Sequence, residues 1–476
     1  MSVVCHESGD MDYSDFINRK LTRVPPTGIV QPVDLVEGLF DFQAAMVRWA
    51  LRRGRAAIFA DTGLGKSRMQ IAWADAVHRA TGHDVLILAP LAVAAQTAGE
   101  GAQVGVDVRQ CRDGSEVQPG ITITNYDRLH RFDTSRFGAV VLDESSVIKH
   151  HTSKTLALLL EAFAQTPFKL CATATPAPND WTELGTHAEF LGICTQTEML
   201  AEYFVHDGGE TQTWRLKGHA RGQFWRWVAS WSALVRKPED LGFDGARYVL
   251  PALNVQQHTT PSADHDPAST GMLFALEANT LSERREARRG SLEGRVARCA
   301  EMVNADNEPW VVWCDLNAEG DALRAAIPGA VEIRGSDDPE VKEQRLIDFA
   351  AGRIRVLITK PSIAGFGLNW QHCARMAFVG VTDSWEAYYQ AVRRCWRFGQ
   401  RREVSVHIFA SDLEGAIVKN LQRKERDAQA MADALSAETH DAVMQEVTGV
   451  VRQSNPYSPN RPAEVPAWLV SEKDAA

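Results

Sequence analysis

Short unbroken apolar runs alternate with longer amphipathic stretches over most of the chain. Leu39-Phe40-Asp41-Phe42-Gln43 opens a helical pattern that ends near Arg53. Apolar runs too short for helices follow at Ala56–Ala60, Val85–Ala89, Ile121–Thr124, Ala139–Leu142 and Lys169–Ala172. They do not alternate with polar residues, as befits strands buried on both faces. Helical patterns such as Met69 to Val77 lie between several of them, which predicts a parallel α/β sheet. A second set begins later, with strand candidates at Trp310–Cys314, Val331–Ile333, Ile354–Thr359, Met376–Val379 and Val404–Phe409. Helical patterns at 318–326, 339–351 and 385–397 separate several of these. The expected fold is α/β, with two parallel-sheet lobes.

Residues 181–250 break the rhythm. Phe224, Trp227, Val228, Trp231, Leu234 and Val235 fall at helical spacing on one face, with Trp225 on the other. This predicts an amphipathic helix that buries its tryptophans, with stacking on bases as the alternative. Ser262 to Gly271 reads as a linker. Leu281 to Arg298 reads as a charged helix with a solvated face, or else one that tracks phosphates. The predicted division is an arm at 1–34, a first lobe at 35–255 with a helical insertion at about 181–250, and a linker with charged helix at 256–300. A second lobe at 301–410, C-terminal helices at 411–448 and an unstructured tail at 449–476 follow.

Composition narrows the class. The 476 residues are 45% hydrophobic, enough for two or three domains with real cores. The net charge of −10 excludes a globally basic nucleic-acid binder, so any such site is a local groove. The eight cysteines are scattered without C-x-x-C spacing. Buried thiols in a reducing compartment are expected, with neither zinc nor disulfides. The polar, acidic start is unlike a signal peptide, and no apolar run approaches membrane-spanning length. A soluble cytoplasmic protein is expected.

Three clusters carry chemistry. Ala60-Asp61-Thr62-Gly63-Leu64-Gly65-Lys66-Ser67 sits between a strand candidate and a helix candidate. Glycines there let backbone N–H groups curl around phosphate oxygens, and the following helix adds its positive end. Lys66 would reach the β- and γ-phosphates, and Ser67 would hold Mg²⁺. The strict phosphate-loop pattern starts with glycine where this chain has Ala60. Val140-Val141-Leu142-Asp143-Glu144 is a buried strand ending in two carboxylates. Asp143 would hold Mg²⁺, and Glu144 would orient and deprotonate the attacking water. Gln390, Arg394 and Arg397 are spaced to share one helix face. Two arginines and an amide aimed together would clamp charge on a transferring phosphoryl group, delivered to the loop by lobe closure.

Together these residues resemble the superfamily 2 helicase-type ATPases, and among them the Swi/Snf-type DNA translocases, from about residue 39 to 410. Ala60–Ser67 is similar to that family's first motif, in which alanine opens the loop. Phe42-Gln43 lies where the family's Q motif reads adenine. Leu88-Ala89-Pro90-Leu91 with Gln96, and Ile123-Thr124-Asn125-Tyr126-Asp127, resemble motifs Ia and Ib. Asp143-Glu144-Ser145-Ser146 occupies the DEAH-box place, and Thr173-Ala174-Thr175-Pro176 with Asn179 resembles motif III. Ser362 with Ala364–Asn369 resembles motif V, and Gln390, Arg394, Arg397 and Gly399-Gln400 match motif VI. Leu234–Pro251 resembles the stretch between the family's lobes. The resemblance implies two RecA-like lobes with ATP and Mg²⁺ between them. The nucleotide would be held by Gln43, Gly63, Leu64, Gly65, Lys66 and Ser67. It implies DNA, duplex before single strands, against Pro90, Thr124, Asn125, Tyr126, Gly365, Gly367 and Asn369. One departure stands out. The histidine that helps couple hydrolysis to motif III is replaced, and Ser146 is expected to make the hydrogen bond instead. The expectation is a minimal monomeric motor, suited to a bacterial or bacteriophage setting. The alternatives are a strand-separating helicase on DNA or RNA, an ATP-dependent clamping scaffold, and the motor subunit of a restriction or repair machine.

Overall fold

The computed structural model describes residues 25–90, 93–178, 180–206, 214–260, 290–364, 369–380 and 384–411, with isolated positions between 423 and 444. The predicted arm up to residue 24, the 262–271 linker, the start of the charged helix, Gly365, Gly367, most of 411–448 and the tail lie outside them.

The first half of the chain supplies β1 Arg55–Ala60, β2 Asp84–Ala89, β3 Val108–Gln110, β4 Ile121–Asn125, β5 Phe137–Asp143, β6 Phe168–Thr173, β7 Phe204–His206, β8 Trp214–Leu216 and β9 Ser232–Val235. Seven of them form one sheet in the order β3-β4-β2-β5-β6-β1-β9, and β7 and β8 form a separate antiparallel ribbon. Every pairing in the seven-stranded sheet is parallel. Its inner strands are apolar on both faces because helices cover both. Trp49 and Trp73 lie in one apolar layer, and Phe163, Trp225 and Trp231 lie in the other.

The second half supplies β10 Leu253–Thr260, β11 Trp310–Trp313, β12 Val331–Glu332, β13 Val356–Thr359, β14 Arg375–Phe378 and β15 Val404–Ser411. They form a second parallel sheet in the order β10-β15-β14-β11-β13-β12. Two α/β lobes therefore stand as the pattern predicts. Among the described residues, no helix is long and apolar enough to cross a membrane.

Four expectations need correction. The helix through Trp231 is Arg221–Trp231, and Leu234 and Val235 lie in β9. That segment pairs with the edge of β1 (Ala57 opposite Ser232, Ala60 opposite Val235) and so satisfies backbone groups an open edge would expose. Both faces of the helix are enclosed: Phe224, Trp225, Trp227 and Trp231 are all at most 4% exposed. Residues 256–260, expected in a linker, belong to β10 and pair with β15. Of the expected charged helix, the described residues include the helix Leu292–Asn304, which does not present a uniformly solvated face. Arg295 is fully buried, 2.9 Å from Glu319 and bonded to the Val379 carbonyl. Finally, the helix expected over 385–397 is Trp385–Val392 and stops short of Arg394.

Candidate active site

The C-terminal ends of β1, β2, β4, β5 and β6 open onto one edge of the first sheet. In parallel sheets this is where ligands bind. β1 runs into the glycine loop, and the helix Lys66–Thr81 starts directly from it. Gly63 and Gly65 have φ of 93° and 78°, a left-handed backbone natural to glycine. Both are tightly enclosed. A Cβ at Gly65 would meet Gln43 Nε2 at 2.3 Å, and one at Gly63 would meet the Phe398 backbone nitrogen at 2.8 Å. Gln43 is committed to the loop: its Nε2 donates to the Leu64 carbonyl at 2.8 Å, and its Oε1 accepts from the Phe40 amide at 3.0 Å. Lys66 Nζ donates to the Ala60 carbonyl at 3.0 Å, folding the side chain back over the loop. Burial pushes the Lys66 ammonium below its usual value, while the charges of Glu144, Asp61 and Asp143 pull it back up.

β5 ends at Asp143, where the chain turns through Glu144. Its φ of 51° is the one positive value among described non-glycine residues, a strained conformation that sets where its carboxylate points. Gln70, one turn beyond Lys66 on the same helix, donates to Asp143 Oδ1 at 2.6 Å. Burial, with Glu144 beside it, pushes the Asp143 carboxyl up to about 6, against the pull of Gln70 and Lys66. Thr173, at the end of β6, donates to Glu144 Oε2 at 3.3 Å. In the turn after Glu144 it is Ser145 whose side chain is bonded, and its partner His187 lies outside the Thr173–Pro176 stretch. Ser145 Oγ lies 3.1 Å from His187 Nε2. His187 Nδ1 lies 3.3 Å from the Glu183 carbonyl, so Nδ1 carries the proton and Nε2 accepts from Ser145. Burial lowers His187 to about 4, which keeps the ring neutral.

The second lobe brings its arginines to this edge. Gln390 lies on the helix, and Arg394 lies in the turn after it, fixed by bonds to the Gln390 carbonyl at 2.9 Å and to Gln390 Oε1 at 3.0 Å. Arg397 follows further along the same loop. The expected helical face is thus replaced by a helix end and a buried turn, yet the three residues still converge. The Glu144 charge acts on both arginines. Burial and the charge of Arg397 push Arg394 down to about 10, so it remains a cation at neutral pH.

Three contributors were not singled out from sequence. Arg393 binds Asp61 at 3.0 Å and the Thr62 carbonyl at 2.6 Å, and Tyr389 OH donates to Asp61 Oδ1 at 2.5 Å. Glu386 accepts from Thr175 Oγ1 at 3.3 Å and pairs with Lys149. Gln390 Nε2 donates to the same Thr175 hydroxyl at 3.4 Å. The arginine pair Arg393-Arg394 was the only available signal, and nothing in its spacing separates the two roles.

Two cavities flank these contacts. One of about 630 Å³ is lined by Phe40, Gln43, Gly63, Gly65, Arg397 and Phe398, and also by Asn369. The other, about 470 Å³, is lined by Pro90, Asn125, Tyr126, Glu144, Lys149 and Glu386. Of the residues expected to meet nucleic acid, Pro90, Asn125 and Tyr126 border the second cavity, whereas Asn369 borders the first. Thr124 is 1% exposed within β4, and Tyr126 turns its hydroxyl inward to the Asp143 carbonyl at 2.7 Å.

No protein-family model matches the chain, and no curated protein matches it. Among solved structures it is similar to the Sulfolobus solfataricus SWI2/SNF2 ATPase core in complex with dsDNA. The two are 16% identical with a TM-score of 0.41, over 88% of this chain and 98% of that one. A likeness this distant transfers neither a site nor a ligand.

Proposed function

We propose that the protein is a nucleic-acid-stimulated ATPase that couples hydrolysis to movement along DNA. One observation carries the reading. A glycine loop with its lysine and a buried Asp-Glu pair share one sheet edge, where Gln390, which fixes Arg394, bonds Thr175 and where Arg397 lines a cavity with Gly63 and Gly65. The curled loop backbone, Lys66 and the start of its helix suit a triphosphate. Ser67 and Asp143 offer the hard oxygen donors Mg²⁺ prefers. An Asp143 carboxyl raised by burial and by its neighbour Glu144 is also one that a cation would relieve. Bound Mg²⁺ would neutralise charge between the β- and γ-phosphates. Glu144, oriented by Thr173, would position the attacking water and take its proton. Arg394 and Arg397 would hold charge that develops on the transferred phosphoryl group, with Gln390 keeping Arg394 in place. Pro90, Asn125 and Tyr126, around the second cavity, would meet the sugar-phosphate backbone without reading sequence.

The test is ATP hydrolysis by the purified protein alone, then with duplex DNA, single-stranded DNA and RNA. Stimulation by duplex supports the translocase reading. Stimulation by single strands or RNA alone replaces it with a strand-separating helicase, and no stimulation leaves a clamping scaffold. Lys66→Ala and Glu144→Gln should each lower turnover at least about a hundredfold, a typical scale for lost acid–base or electrostatic groups. Glu144→Gln should still bind ATP. Near-normal turnover in either variant defeats the assignment.

A further inference from the structure

Lys149 caps the short helical turn Ser145–Ile148 that follows Glu144. Its side chain is 21% exposed at the wall of the 470 Å³ cavity, and it is paired with Glu386 of the second lobe, 9% exposed. The other oxygen of Glu386 accepts from Thr175 Oγ1 at 3.3 Å. The Thr175 amide donates to Thr173 Oγ1 at 3.1 Å, and that hydroxyl donates to Glu144 Oε2 at 3.3 Å. A hydrogen-bonded chain thus runs from a cation in the cleft to the carboxylate of the candidate active site, through a carboxylate borrowed from the other lobe.

A lysine and a threonine hydroxyl gripping one anionic group are the partners a backbone phosphate takes. The cavity is the size of a small-molecule pocket, so no duplex passes through it as it stands. It is also acidic. Asp127, Glu144, Glu343 and Glu386 line it against Lys149 and Lys342. A polyanion meets Lys149 favourably only after Glu386 has left.

We propose that Lys149 is a backbone-phosphate site for nucleic acid and that Glu386 occupies it in the closed, nucleic-acid-free protein. This rests on the nucleic-acid-dependent reading above. Entry of a strand exchanges one anion for another at Lys149, so a charge-assisted contact is kept throughout. The exchange frees Glu386 and, with it, Thr175. Occupancy of the cleft is thereby communicated to Thr173 and Glu144 by replacement of a lobe-to-lobe contact. Glu386 is a positioning residue in this scheme and touches no reacting atom.

The experiment measures duplex DNA binding without nucleotide over a salt series, for wild type, Lys149→Gln, Glu386→Gln and the double variant. Lys149→Gln should weaken binding and reduce the log–log salt slope by about 0.9, the value of one phosphate contact on duplex. Lys149→Arg, which keeps the charge, should keep the wild-type slope. Glu386→Gln should bind about two- to fivefold tighter, the scale of a partly exposed ion pair. That gain should vanish in the Lys149→Gln background. Wild-type affinity and slope in Lys149→Gln overturn the proposal. So does weaker or unchanged binding by Glu386→Gln, or an equal gain in both backgrounds. Should Lys149→Gln not fold, Glu386→Gln decides alone: tighter binding supports the proposal, and weaker or unchanged binding overturns it. Wild type that binds no duplex, single strand or RNA overturns the functional reading and this proposal together. Wild-type binding with unresponsive variants overturns this proposal only.

Discussion

Asp143 is held ionised beside Glu144 at neutral pH, and that costs the folded protein stability. Its folded value of about 6 lies above the ordinary 3.8. The stabilising contribution is therefore full below pH 3.8 and is lost as pH rises through about 6. Asp143→Asn, which can still accept from Gln70, should be more stable than wild type at about pH 8, by about 2–3 kcal/mol. The difference should shrink toward about pH 4, and Mg²⁺ with ATP should narrow it in wild type only. Thermal melts across that range check both. His187 works in the opposite direction. With a value lowered to about 4 from 6.5, it stabilises above pH 6.5 and loses that contribution as pH falls through about 4. The Ser145–His187 bond also shows a limit of local reading. The Asp-Glu-Ser-Ser run gives no sign of it, because the partner ring lies 42 residues away.

The helix Arg221–Trp231 anchors one layer of the first lobe. Trp231 is fully buried, edge-on to Phe59 at 6.2 Å and to Trp227 at 5.4 Å. Trp231→Ala should cost about 3–5 kcal/mol. Hydrogen exchange should then show lost protection in β1 and β6 with β11 and β13 unaffected; equal loss in both sheets would refute lobe-by-lobe stability. The strands flanking this layer were legible because β1, β2, β5 and β6 are continuous apolar runs beside turn chemistry. β10 was not, since its sequence LNVQQHTT is largely exposed and carries no apolar run. The glycine loop and the Asp-Glu pair of the candidate site stood out in the sequence for the same reason as the strands: each is contiguous. Arg393 and Glu386 were not, because their partners Thr62 and Lys149 lie 331 and 237 positions away. Only the folded chain brings those partners together.

At the scale of the molecule, the two lobes meet through side chains rather than through shared strands. Arg393 and Tyr389 grip Asp61 and Thr62, Glu386 grips Lys149 and Thr175, and Phe398 stacks on Tyr248 with centroids 4.6 Å apart. Among the described residues, every strand of the first sheet precedes β10, and every strand of the second follows β9. The backbone therefore passes from sheet to sheet once, between Val235 and Leu253. A cut in that connection leaves each sheet whole. Two pieces made separately should each fold, turn over no ATP alone, and regain hydrolysis on mixing, with a rate set by the concentration of the scarcer piece. Hydrolysis by either piece alone would show that the arginines of the second lobe are dispensable. Recovery on mixing would instead make the covalent link a tether that raises the local concentration of one half of the candidate site around the other.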